Sequence, residues 1–340
     1  MKKYLLIGLF SIMPLIAGTI TRTMTLSMQD MRMYKANDQD VVELIGHGVL
    51  VRPGAPRMPM VLHKLVIPAG AVLKGVSVVS VQWEEIRGTF NIVPAQPDVP
   101  LPMPGKIFEP QLFPPDPEIY ASNTAYPENT VKNGGTGNMN GYRIAHVEIF
   151  PLRYIPSEGR LQLATSITYE IEYEENRAAN IIATDRQRDV FGDALRRIVT
   201  NPEDVMRFAP TVRKNIFSRS LPPGDFEYVV ISEPPMDTVF ERFAAWKTKK
   251  GIQATVVDVS WISSNYTGYD LQEKIRNFII DAKETWGTIY FLLGGSGDQR
   301  TSGQNIVPAR MTYYYTYSTV GRDDTIPSDL YYADHDGDWD

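Results

Sequence analysis

The feature that most constrains this chain is a change of hydrophobic period near Phe226. Residues 226–232 form a short apolar run of strand length. Residues 237–250 then set Val239, Phe240, Phe243 and Trp246 at helical spacing and close on Gly251, a residue suited to a left-handed helix end. A second apolar run follows at 253–259. Residues 270–285 carry Leu271, Ile275, Phe278, Ile279 and Ala282 on one helical side, and 287–294 is a third apolar run. Strand, helix, strand, helix, strand with nearly continuous apolar strands predicts parallel βαβ units buried on both faces. Three strands are few for such a sheet, so the sequence predicts a truncated α/β domain, its N-terminal part spanning 225–340.

Upstream the period is two. Residues 41–50, 61–67, 72–82 and 88–93 are rich in β-branched and aromatic side chains, with Pro and Gly between them. In 161–173, Ile167, Tyr169, Ile171 and Tyr173 alternate with Thr168, Glu170 and Glu172, as in a strand with one face buried. Residues 142–154 and 161–173 flank turn chemistry at 156–159 and read as a hairpin. The reading is an all-β sandwich over 19–183. Inside it, 94–141 carries Pro94, Pro97, Pro100, Pro102, Pro104, Pro110, Pro114, Pro115, Pro117 and Pro127, then Gly134, Gly135, Gly137 and Gly141. Prolines are excluded from central strands, so this stretch reads as one extended loop, either functional or a passive linker. Residues 184–224 read as a helical and basic linker: helical over 184–208, with Asn201-Pro-Glu-Asp204 as a fresh helix start, then Arg213, Lys214 and Arg219.

Residues 1–18 have the layout of a secretory signal peptide: Lys2 and Lys3, an apolar run from Leu5 to Ile16, then Ala17 and Gly18. The run is shorter than the roughly 20 residues of a spanning helix, and Pro14 interrupts it. Signal removal would leave no membrane span and an extracellular or cell-surface product. The chain has 340 residues, a net charge of −6 and no cysteine. The acidity argues against nucleic acid, which demands clustered Lys and Arg. The missing cysteines exclude disulfides and thiolate metal sites within these residues.

Candidates for chemistry are sparse. Gly294-Gly-Ser-Gly-Asp298 follows the third strand, not the first, and lacks the Lys-Ser/Thr pair of a phosphate loop; it reads as the rim of a cleft beyond strand carboxyl ends. Asp334, Asp336 and Asp338 alternate around Gly337, an oxygen-donor spacing that suits structural Ca²⁺ as well as a solvated acidic turn. His47, His63, His146 and His335 are read as strand or turn residues, and no nucleophile–base pair assembles, so no catalytic or cofactor-binding residue is assigned. Tyr313 to Tyr317 reads as a strand with packed rings.

The order of segments resembles the gingipain-like cysteine peptidases with their propeptide. In the prosegment the likeness rests on Gly54-Ala-Pro-Arg-Met-Pro59, Ile67-Pro-Ala-Gly-Ala71, Val93-Pro-Ala-Gln-Pro97 and Pro151-Leu-Arg-Tyr-Ile-Pro156. In the α/β part it rests on Tyr228-Val-Val-Ile231, Trp246-Lys-Thr-Lys-Lys-Gly251, Trp286-Gly-Thr-Ile-Tyr-Phe-Leu-Leu293, Val307-Pro-Ala-Arg310 and Ser328-Asp-Leu-Tyr-Tyr-Ala-Asp334 with Asp336-Gly-Asp338. The resemblance implies a caspase-like α/β fold, a secreted endopeptidase acting on protein or peptide substrates, and the chain's own prosegment as an intramolecular inhibitor. The family's catalytic His and Cys follow later strands and are not among these residues; His335 is not promoted to the base. The stretch 294–303 is longer than the family form. The rival class is a secreted, non-catalytic β-sandwich adhesion or sorting module joined to a degenerate α/β domain.

Overall fold

A computed structural model describes residues 17–97, 112–175, 182–212, 221–296, 305–313 and 325–334. The chain divides into two compact units: 1–181 with 192–210, and 182–191 with 211–340. Residues 1–16 of the expected signal, 98–111 with Lys106, and the basic residues Arg213, Lys214 and Arg219 lie outside the described residues. Among the described residues, no helix is long and apolar enough to cross a membrane.

The first unit is mostly β. Its elements are β1 (Ala17–Thr25), β2 (Met31–Ala36), β3 (Gln39–Leu44), β4 (Gly48–Val49), β5 (Pro59–Ile67), β6 (Val72–Ile86), α1 (Pro117–Tyr120), β7 (Val131–Met139), β8 (Tyr142–Ile149), β9 (Leu152–Ile155) and β10 (Arg160–Glu174). One antiparallel sheet has the order β1-β10-β6, with β9 also on β10; another runs β4-β5-β8-β7, and β2 pairs with β3. The alternation in β10 is realised: Ile167, Tyr169, Ile171 and Tyr173 are buried. The expected hairpin of β9 and β10 turns through Gly159 at φ +63°. There a Cβ would lie 2.7 Å from Thr89 Cγ2, so glycine answers both the backbone and the close approach.

Three local expectations change. The loop reading of 94–141 fails over Val131–Met139, which pairs with β8 and bulges between Asn133 and Thr136. Its glycines serve the strand and its bulge: a Cβ on Gly134 would stand 3.2 Å from the His146 side chain, and Gly135 takes φ +88°. Residues 88–93 are not a strand; Ile92 makes only an isolated bridge to Asp40. The helix expected over 184–208 is α2 (Asp185–Leu195), followed by turns and a short 3-10 helix at Pro202–Asp204.

The fresh start expected at Asn201 is a three-residue 3-10 helix, Pro202–Asp204, and the Asn201 side chain does not cap it. Its Oδ1 accepts from Val66 N at 2.8 Å, and its Nδ2 donates to Val66 O at 2.8 Å. Thr200 N donates to Lys64 O at 2.7 Å. On this side β5 pairs only with the two-residue β4, at Pro59 and Met60. Residues 200–201 therefore complete an edge whose buried backbone groups would otherwise lack partners.

The second unit holds β11 (Ile182–Ala183), the start of α2, β12 (Thr211–Val212), β13 (Tyr228–Ser232), α3 (Asp237–Lys249), β14 (Ala254–Asp258), α4 (Val259–Asn265), α5 (Leu271–Thr285), β15 (Tyr290–Leu293), β16 (Arg310–Tyr313), β17 (Thr325–Ser328) and α6 (Leu330–Ala333). The three apolar runs form a parallel sheet of order β14-β13-β15. Central β13 is buried at Val229, Val230 and Ile231, and α5 buries Ile275, Phe278, Ile279 and Ala282 as its period predicts. In α3 the inward face is Phe240, Phe243 and Ala244, whereas Val239 is 65% and Trp246 48% exposed. Trp246 instead lies under the Lys250 ammonium, 4.2 Å from its ring centroid, a favourable place for a surface indole.

Candidate functional site

Ligand sites of open parallel sheets lie beyond the strand carboxyl ends. Here those ends are Ser232, Asp258 and Leu293. Buried Ser232 donates from Oγ to Gly294 O at 2.9 Å, and Gly294 N donates to Ile231 O at 2.8 Å. A Cβ on Gly294 would meet Phe240 Cε2 at 2.5 Å, and one on Gly295 would meet Ile306 Cβ at 2.6 Å. These glycines are demanded by packing, not by a phosphate. Glu233 Oε2 accepts from Ser260 N at 2.8 Å and ties the β13 loop to the first turn of α4. Burial, then Glu233, Asp237 and Glu241, push the Asp258 carboxyl upward. Four carboxylates therefore gather at this end of the sheet. Residues 297–303 of the loop lie outside the described residues.

The segments around Val307 and Ser328 converge on the start of α5. Asp270 caps that helix, accepting from Glu273 N at 2.9 Å. It also receives both guanidinium nitrogens of Arg310, at 2.7 and 3.0 Å, the bidentate geometry that makes such pairs strong. Burial opposes ionisation of Asp270, but the Arg310 hydrogen bonds and charge prevail and hold it below the usual carboxylate range. The Arg310 guanidinium lies 4.2 Å from the Tyr331 ring centroid, and Tyr332 Oη donates to Pro308 O. Arg276 donates to Asp334 O from Nε and Nη2, at 3.1 and 2.9 Å. The backbone carbonyl of Asp334 is thus engaged by a cation. His335, Asp336 and Asp338 lie outside the described residues, and among the described residues no group of three His, Asp or Glu is placed to hold a metal. Sequence reasoning missed the Asp270–Arg310 clamp; Asp270-x-x-Glu273 before an apolar helix was its one local signal.

In the first unit, two of the resembling motifs become neighbours. Arg57 N donates to Val93 O at 2.9 Å, Ala95 N to Ala55 O at 2.7 Å and Gly54 N to Ala95 O at 3.0 Å. These paired segments grip the start of the proline-rich stretch. Gln96 Nε2 donates to Phe113 O at 2.9 Å, and Phe113 N donates to Gln96 Oε1 at 2.8 Å. Asp116 N donates to Gly54 O at 2.8 Å. Gly54 has φ +83°, and a Cβ there would sit 3.1 Å from Pro114 O. Residues 96 and 113 are thereby held side by side.

None of the described histidines faces a nucleophile. His63 Nδ1 lies 2.7 Å from Tyr169 Oη, and burial, with the charge of His47, lowers its pKa to about 4. Burial and the Lys64 charge also lower His146.

Two family models match the chain. The propeptide model of peptidase family C25 covers 19–209, and the peptidase family C25 model covers 221–340. The chain belongs to the gingipain-like C25 peptidase family. A solved complex of the pro- and mature domains of RgpB from Porphyromonas gingivalis shares 18% identity with it, over 54% of this chain and 93% of that one, at a TM-score of 0.43. A structure addressing the zymogenic latency of gingipain K from the same organism shares 19% identity, over 47% and 100% of the two chains, at 0.35. No curated protein matches.

Proposed function

We propose that this chain is the N-terminal portion of a secreted cysteine endopeptidase zymogen. The observation that carries the reading is the tandem match, a C25 propeptide at 19–209 followed directly by C25 peptidase sequence at 221–340. Residues 1–18 are the export signal and 19–183 an inhibitory β-sandwich. Residues 184–224 are the stretch in which activation cuts, and 225–340 open a caspase-like domain. With no cysteine among 340 residues, the nucleophile belongs to sequence outside them, and the chain as given does not hydrolyse peptides. In the whole enzyme a His-activated thiolate would attack protein or peptide substrates. The segment proposed to block the cleft is the proline-rich stretch around Lys106. Ca²⁺ is proposed as a structural ion on Asp334, Asp336 and Asp338; if bound, added Ca²⁺ raises the melting temperature and chelator reverses it.

Residues 19–213 mixed with a mature homologous peptidase test the reading. Inhibition below micromolar concentration is expected, weakened about tenfold, or about 1.4 kcal/mol, by Gln96→Ala. No inhibition at micromolar concentration removes the inhibitory role.

A further inference from the structure

A cavity of about 270 Å³ opens in the first unit between the β2–β3 hairpin and the short strand β4. Its charged wall holds Arg32, Glu43 and Arg57, and its apolar wall holds Leu44 and Val49. Arg32 stands directly opposite Glu43 in the β2–β3 ladder, yet Glu43 is engaged elsewhere. Its Oε1 accepts from Arg57 Nη1 at 3.2 Å and from Tyr34 Oη at 3.4 Å. One carboxylate is thus shared by Arg57 and Tyr34, and the exposed Arg32 guanidinium has no hydrogen-bonding or ionic partner among the described residues. Arg57 is fixed at its backbone, where N donates to Val93 O at 2.9 Å. The turn into β4 is Gly46-His47-Gly48. There His47 N donates to Leu44 O at 3.1 Å, and Gly46 takes φ +79° with open space where a Cβ would stand. Gly46 N, in the same wall, has no acceptor among the described residues. Asp30, a carboxylate near His47, does not line the cavity; it accepts from Ser27 N at 2.8 Å and from Ser27 Oγ at 2.9 Å.

We infer that this cavity is a binding site for the C-terminal carboxylate of a peptide that ends in an apolar residue. Two guanidinium groups against one carboxylate leave a surplus of one positive charge, which suits a monoanion better than a phosphate dianion. The unpaired Arg32 offers a planar fork that a carboxylate fills with two parallel hydrogen bonds. The N–H of Gly46 and the His47 ring stand beside it, and backbone donors at a turn are a recurrent means of capturing a chain end. Leu44 and Val49 give the last side chain an apolar wall, and Ile45, 62% exposed, gives it a lip. A terminal residue carries its carboxylate and its side chain on one Cα, so both fall within one small cavity. An internal Asp or Glu would bring the charge without the apolar group. The volume lies just under the roughly 300 Å³ at which ordinary ligand pockets begin, which is room for one residue. The site lies wholly within the β unit and stands or falls apart from the zymogen reading.

The test is fluorescence anisotropy on the full chain, with fluorescein-labelled Gly-Ala-Ala-Leu bearing a free carboxylate. Saturable binding is expected with a dissociation constant below about 1 mM. The same peptide as its C-terminal amide should bind about tenfold more weakly or worse, having lost a charge-assisted pair. So should amidated Gly-Ala-Ala-Glu, which offers only a side-chain carboxylate. Arg32→Gln should weaken the free-carboxylate peptide by about tenfold or more and leave the urea midpoint where it was, because Arg32 has no partner to lose. Arg32→Lys keeps the charge, loses the fork and should retain only part of the affinity. No binding at about 1 mM, an amide that binds as well as the acid, or an Arg32→Gln variant of unchanged affinity overturns the proposal. Equal binding of the amidated Glu peptide overturns the assignment to a chain end. Inorganic phosphate that displaces the peptide at lower concentration than sodium acetate overturns it in favour of a phosphate site. Should Arg32→Gln shift the midpoint, the ratio of acid to amide affinity in the parent chain decides alone.

Discussion

The two units build their cores from different chemistry. In the β unit, Tyr142, Tyr154 and Tyr169 are among the largest wholly buried side chains. Tyr154 Oη donates to Phe90 O at 2.8 Å, Tyr120 Oη donates to Ile92 O at 2.6 Å, and Tyr169 Oη meets His63. In the α/β unit, Phe226, Trp261, Tyr266, Phe278 and Trp286 pack edge to face, with ring centroids 5.1 to 6.4 Å apart. The first core depends on fixed polar partners, which discriminate between arrangements but fail when a partner changes its protonation. The second depends mainly on area and ring quadrupoles, which are indifferent to pH; its polar ties are Tyr266 Oη to Asp281 at 2.8 Å and the Trp286 indole to Pro222 O at 2.9 Å.

The largest expected effect removes the centre of the ring cluster. Phe278 is wholly buried and touches Trp261, Tyr266 and Trp286. Phe278→Ala should cost about 3–5 kcal/mol, read as increased hydrogen exchange in peptides from 226–293 while 142–174 stays protected. Equal loss in both regions would break the distinction between the two cores.

Acid should act on the other side of the comparison. His63 stands on β5 facing Tyr169 of β10, with Lys64 and His146 on the paired strands and His47 adding like charge. Its pKa is lowered from 6.5 to about 4, so the fold favours the neutral ring. As pH falls from 6.5 toward 4 the unfolded chain takes the proton first, and stability falls with it. Below about 4 this loss is complete. The full effect is at most about 3 kcal/mol. Urea midpoints of the β unit should drop across that window and flatten in His63→Gln; an unchanged slope in the variant would assign the loss to other groups.

Asn201→Ala should cost about 2 kcal/mol, the penalty of leaving the two buried backbone groups of Val66 without partners. Exchange at Val66 and Leu65 reports it. Asn201→Asp retains the acceptor for Val66 N but sets a carboxylate oxygen against Val66 O and Asp204 Oδ2, and a cost at least equal to that of alanine would show that the amide's donor half acts.

Much of this architecture is legible in the sequence, and the illegible parts share a cause. The alternation in 167–173 and the spacing of Ile275, Phe278, Ile279 and Ala282 are local patterns, and local patterns report the buried face. The strand order β14-β13-β15 is compatible with the apolar runs but not dictated by them. Val131–Met139 is hidden because its glycines read as turn signals, when Gly134 makes room for His146 and Gly135 takes the positive φ of the bulge. Asn201 and Gln187 look like ordinary capping residues, and what sets them apart is a partner 135 positions away for the first and 96 for the second. The motifs Gly54 to Pro59 and Val93 to Pro97 showed a likeness without a reason; their pairing at the start of the proline-rich stretch supplies one. The acidic turn at 334–338 shows the reverse, since only Asp334 falls among the described residues.

The smallest effect tests where the α/β core ends. By helical period Val239 and Trp246 belong with Phe240 and Phe243, yet both are exposed. If the ring cluster is the seat of stability, the α3 surface contributes little, and Trp246→Ser should change the unfolding free energy by no more than about 0.5 kcal/mol. The Lys250 contact is itself worth only about 0.5–1 kcal/mol at an exposed site, and the serine variant releases Lys250 to solvent, which offsets part of that. The same substitution deep in the cluster, at Trp286, would also strand Pro222 O, the acceptor of its indole N–H at 2.9 Å. A cost at Trp246 approaching that of Phe278→Ala would mean that the apolar face of α3 is covered in solution, and the boundary of the core would then have to be drawn outside this helix.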